Sequence, residues 1–100
     1  MSDDLRQKLM SEIDIADWED LLPHFAHERL FACHEDLSLL EAAMAIAVDD
    51  LATIRSLIRT GHLFTPDDDL AAHWYDDKET FRFLIVQPFV LVKMRKKAEA

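Results

Sequence analysis

Apolar residues recur every three or four positions through most of the chain, the spacing of helices that bury one face. In the segment DDLRQKLMSEI, Leu5, Leu9 and Ile13 repeat at i+4, with Ser2 ahead as a small polar cap and acids in the first turn. DWEDLLPHF starts a second helix, with Asp17 as N-cap and Trp18, Leu21, Leu22 and Phe25 on its apolar side. Pro23 has no backbone N–H, so a kink or a split is expected there. Ser38 and Glu41 stand at capping-box spacing before residues 39–48, which are apolar everywhere except Glu41. A helix apolar all round has to be covered on nearly all sides, by the rest of the chain or by a partner. Asp49 or Asp50 caps a fourth helix, in which Leu51, Ile54, Leu57 and Ile58 face the core and Gly61 follows as the left-handed end. TPDD opens a fifth, with Thr65 as N-cap, Pro66 as first residue and Asp68 as third, running to about Asp77 and carrying Leu70, His73 and Trp74.

Two segments break this period. Residues 29–34 alternate weakly and read as a strand. TFRFLIVQPFVLVKM is rich in Phe, Ile and Val and reads as a second. Pro88 cannot donate to a ladder, which puts it at a bulge or on an edge. Gln87-Pro88 lacks the turn chemistry of a two-residue hairpin, so one long bent strand over residues 81–92 is expected. The resulting fold class is α+β: about five helices packed on a small, mainly antiparallel sheet of two or three strands. Residues 1–92 form one domain and residues 93–100 a basic C-terminal tail.

Composition narrows this picture. Half of the 100 residues are hydrophobic and there is one Gly, so the chain is a packed one. The net charge is −9, although Lys93, Arg95, Lys96 and Lys97 fall in the last eight residues. An acidic body repels phosphate backbones, so no nucleic-acid partner is expected and the tail reads as a solvated end. A lone cysteine, Cys33, cannot form an internal disulfide. The N-terminus lacks a basic-then-apolar leader pattern, and the apolar runs fall short of the roughly 20 residues that span a bilayer. A cytoplasmic protein without membrane association is expected.

DWEDLLPHF, DLSLLEAAMAIAVDD, LIRTGHL, the isolated HW and VQPFVLV occur in this order and at these spacings. Together, over residues 12–93, they resemble the bacterial family known as domain of unknown function 2288. Phe89 stands where that family usually shows Trp, and Lys93 where it usually shows Gln. The resemblance implies a small bacterial protein and supplies no activity and no catalytic residue.

The segment HFAHERLFACHED gathers His24, His27, Cys33 and His34. His24 and His27 are one helical turn apart and are the candidate metal ligands. Cys33 and His34 are strand neighbours, so they point to opposite faces and cannot both join the helix pair. As a nucleophile, Cys33 with His24 or His73 as base needs a stabilised thiolate, and an apolar strand in an acidic protein works against one. Glu41, Asp49 and Asp50 already serve as caps, and the aspartates around Trp74 and Tyr75 lack the order of a calcium loop. A small-molecule site would use Trp18, His24, Cys33, His73 and Trp74 if the fold brings them together. No cofactor and no enzyme activity are indicated.

The functional expectation is a self-associating structural or regulatory interaction module, a homo-oligomer or a protein with a protein partner. Its interface would involve Ala43 and Ala47 on the all-apolar helix and Phe83 and Phe89 on the long strand. The alternative is a metal- or small-molecule-binding protein, or an enzyme accessory, with a site near His24 and His73.

Overall fold

The computed structural model describes residues 2–94, with side chains from Asp3 onward. Five helices and five strands follow one another along the chain, in an α+β arrangement. Helix α1 (Ser2–Ser11) leads into β1 (Asp14–Asp17), α2 (Trp18–Ala26) and β2 (Leu30–Cys33). Then come α3 (Leu39–Ala47), α4 (Leu51–Arg59), β3 (Leu63–Phe64), α5 (Asp68–Asp76), β4 (Thr80–Val86) and β5 (Phe89–Met94). The Ser2 side chain expected to cap α1, and the tail from residue 95 onward, lie outside the described residues.

All five strands join one sheet in the order β1-β4-β5-β2-β3. The sheet is larger than the two or three strands expected, and it is mixed. The β5–β2 pair at its centre is parallel, while β1–β4, β4–β5 and β2–β3 are antiparallel. The segment expected to form one bent strand is a hairpin. Val86 pairs with Phe89 across a cis Gln87–Pro88 peptide, and a cis proline closes a turn of a kind that the usual two-residue hairpin residues do not announce.

Alternation along the strands sends residues to two cores. Cys33, Leu63, Leu84 and Leu91 pack with Leu9, Leu37, Leu40 and Ala43, against which Leu5, Ile54 and Leu57 also lie. This is the face of α1, α3 and α4. Leu30, Ala32, Phe81, Val90 and Val92 pack on the opposite face with Trp18 and Leu21 from α2 and with Ala71 and Trp74 from α5. A sheet covered on both sides needs nearly continuous apolar strands, which explains why LFAC and FVLV show no clean alternation of apolar and polar residues.

Local sequence sets the helix ends. Asp17, Ser38, Asp50 and Asp67 each accept from the backbone N–H three residues on, as N-caps do. The cap of α5 is Asp67, not Thr65, so this helix begins two residues later than the Thr-Pro signal suggests and Pro66 lies before it, buried. Gly61, with φ +80, follows α4 as the left-handed residue. Helix α2 is not split at Pro23. A proline removes only one donor, and the helix ends within a turn, with His27 N–H bonded to the Pro23 carbonyl at 3.1 Å.

The apolar helix α3 is covered within the chain. Leu39, Leu40, Ala42, Ala43 and Ala45 are buried, and α1, α4, β4 and β5 contact it. The sheet edges are short: β1 has four residues and β3 two. Asp14 also folds its carboxylate back to accept the Ile15 N–H at 2.8 Å. Short edge strands are a common defence against strand pairing between copies, and the terminal aspartates of β1 add charge to it.

Candidate functional site

The C-terminal ends of β2 and β5 and the start of β4 lie side by side, and a cleft opens there. It has a volume of about 1040 Å³, and Cys33, His34, Asp36, Trp74, Arg82 and Lys93 are among its lining residues. Strand register builds its charged wall. Arg82 and Lys93 are direct partners in the antiparallel β4–β5 pair, so their side chains project from the same face as neighbours. Cys33 projects from that face on β2, beyond β5.

The loop after β2 supplies the opposite wall. His34 N–H donates to the His62 carbonyl at 2.7 Å, and the two imidazoles meet edge to face with centroids 5.6 Å apart. His34 Nδ1 accepts the Asp36 backbone N–H at 3.1 Å. An Nδ1 that accepts this backbone N–H leaves Nε2 as the donor of the ring. The Asp36 carboxylate approaches the same nitrogen to 3.6 Å. His62 Nδ1 lies 2.6 Å from the Thr60 hydroxyl.

Burial pushes the Cys33 thiol up from 9.0 to about 12, with the nearby Lys93 charge pulling weakly the other way. The thiol is therefore protonated at neutral pH, and a nucleophilic role is not supported. Alternation places Cys33 inside and His34 outside, so the pair is divided across the sheet as their adjacency predicts.

The other candidates are dispersed. Trp18 and Trp74 meet in the second core with Phe81. Both indoles are almost fully buried, and only Trp74 borders the cleft. His24 is half-buried in α2, and His27 is its exposed C-cap. His73 is exposed on α5 and pairs with Asp77 at 3.0 Å. Among the described residues no group of three or more His, Cys, Asp or Glu side chains converges on a point where a metal ion would sit.

Of the interface candidates, Ala47 is exposed and Phe83 and Phe89 are half-buried, while Ala43 has no exposed surface in the chain. Phe89 stacks edge-on against Phe31, with centroids 5.5 Å apart. Sequence reading did not single out Arg82, and it assigned Lys93 to the tail. Their adjacency exists only through the hairpin register, and it is visible in sequence only once Gln87-Pro88 is read as a turn.

No helix among the described residues is long and apolar enough to cross a membrane. A family model described as Protein of unknown function (DUF2288) matches residues 4–94. Among solved structures, the chain is similar to PA1075 from Pseudomonas aeruginosa, determined in solution by NMR. The two are 29% identical with a TM-score of 0.81, over 90% of this chain and 83% of that one. No curated protein matches the chain.

Proposed function

The chain belongs to the DUF2288 family, and we propose that it is a self-associating interaction module in which α4 of one copy docks on α5 of the next. The observation that carries this reading is the state of α4: its sequence is amphipathic, yet none of its residues is buried. Leu51 and Ile58, two turns apart on one side of the helix, are 55% and 49% exposed, and Val48 just before the helix is 58% exposed. Arg55 and Arg59 flank them, and neither has a carboxylate within 4 Å among the described residues.

Helix α5 offers the complementary surface. Tyr75 is 50% exposed, with Asp68 two turns before it on the same side of the helix and Asp76 next to it in the chain. The two helices lie on opposite faces of the sheet, so one molecule cannot join its own pair. Contact between two different surfaces propagates into rings or open chains of copies. Apolar exposure beside opposite charge gives such a contact both its burial and its register.

Complementation between variants tests this. The wild-type chain is expected to associate at micromolar concentration by light scattering. A variant with Leu51→Glu and Ile58→Glu, and another with Tyr75→Ala and Asp76→Lys, should each be monomeric alone and form only a 1:1 pair when mixed. A monomeric wild type, or an α4 variant that associates as well as the wild type, overturns the reading.

A further inference from the structure

We infer that Arg82 and Lys93 form a binding site for a small organic carboxylate in the cleft at the open end of the sheet. The site is independent of the α4–α5 contact.

The first argument is the register. Two cations placed directly opposite each other on adjacent strands repel, which costs the sheet stability. The chain has 20 acidic residues against 11 basic ones, so acids to neutralise such a pair are plentiful. Even so, neither Arg82 nor Lys93 has a carboxylate within 4 Å among the described residues. Lys93 is also half-buried, which makes its unpaired charge harder for water alone to satisfy.

The second argument is the space they face. A planar guanidinium donates two parallel hydrogen bonds to a carboxylate, and an adjacent ammonium adds a third. The cleft holds far more than a bare ion, and Phe64 and Met94, register partners of Ala32 and Phe81, line it from the face of the sheet opposite the two cations. Ligand sites of this kind combine a mostly apolar lining with a few convergent polar groups. Glu35 and Asp36 line the same cleft and bring negative charge to it. That charge disfavours a dianion or a polyphosphate more than a monoanion, which selects a carboxylate carried on an apolar body.

The test uses the intact chain and follows backbone amide shifts by NMR while benzoate, inorganic phosphate or sodium chloride is added at matched ionic strength. Benzoate is expected to shift the amides of Cys33, His34, Arg82 and Lys93 saturably, phosphate more weakly, and chloride not at all. Arg82→Gln and Lys93→Gln should each weaken benzoate binding about tenfold or more, and together abolish it, while the folded spectrum is retained. Without ligand, Lys93→Gln should raise the melting temperature, because it removes the cross-strand repulsion. The inference is overturned if benzoate gives no saturable shift, or if the double variant binds as the wild type does. Phosphate binding as tight as benzoate overturns the carboxylate assignment. A lowered melting temperature in Lys93→Gln shows that the charge is already satisfied and likewise overturns it.

Discussion

Trp18 and Trp74 meet edge to face, with ring centroids 5.0 Å apart and planes at 65°, and so join α2 to α5 over the sheet. Phe81 from β4 completes the group, 5.7 Å from Trp18 and 4.9 Å from Trp74. Aromatic pairs in this geometry contribute roughly 0.5–1.5 kcal/mol beyond their burial. Trp74→Ala is expected to cost about 3–5 kcal/mol, measured by urea unfolding. Trp18→Phe should cost clearly less than Trp18→Ala. It leaves a ring against Trp74 and removes an indole N–H that has no acceptor among the described residues.

Cys33 gives a prediction with a defined sign. Its thiol is held protonated up to about 12, against 9.0 for an unperturbed thiol. Between those values the unfolded chain has lost the proton and the folded chain keeps it, so ionisation favours unfolding. Stability should be unaffected below about pH 9 and then fall by up to about 1.4 kcal/mol per pH unit toward pH 12. Cys33→Ala should flatten that part of the profile in urea unfolding across alkaline pH. In the folded wild type at pH 8, alkylation by iodoacetamide should be far slower than in urea.

How much of this was legible in the sequence depended on whether a residue's role was local. The caps at Asp17 and Ser38, the burial of an all-apolar α3 and the left-handed Gly61 follow from near neighbours, and the structure agrees. Strand β1 is the four residues DIAD, of which only Ile15 and Ala16 are apolar. It exists because β4 pairs with it, which no local pattern announces. The split of Cys33 from His34 was readable because alternation is local. The Arg82–Lys93 pair was not, because its partners meet only across a turn whose proline is cis.

The start of α5 can be checked directly. Thr-Pro at residues 65 and 66 imitates a cap followed by a first helical residue, but the Asp67 carboxylate accepts the Leu70 N–H at 2.8 Å. Removing a side-chain cap costs about 1 kcal/mol. Asp67→Ala should show that loss in urea unfolding, while Thr65→Ala should leave stability within a few tenths of a kcal/mol. If the two costs were reversed, the helix would begin at Thr65.

Asp50 couples α4 to acid. Its carboxylate accepts from the Thr53 hydroxyl at 2.7 Å and from the Thr53 N–H at 3.2 Å, and these bonds hold its pKa below the ordinary carboxylate value. A carboxyl whose pKa is lower in the folded state stabilises the fold above its unfolded pKa. That contribution disappears as pH falls through the folded value. The Thr53 amide resonance should therefore titrate with Asp50, at a lower pH than for a free aspartate. Asp50→Asn keeps an acceptor at the cap and removes the titration. The melting temperature of that variant should fall less than the wild type's between neutral pH and acid. Equal falls in both proteins would mean that other carboxylates carry the acid sensitivity and that the cap of α4 does not.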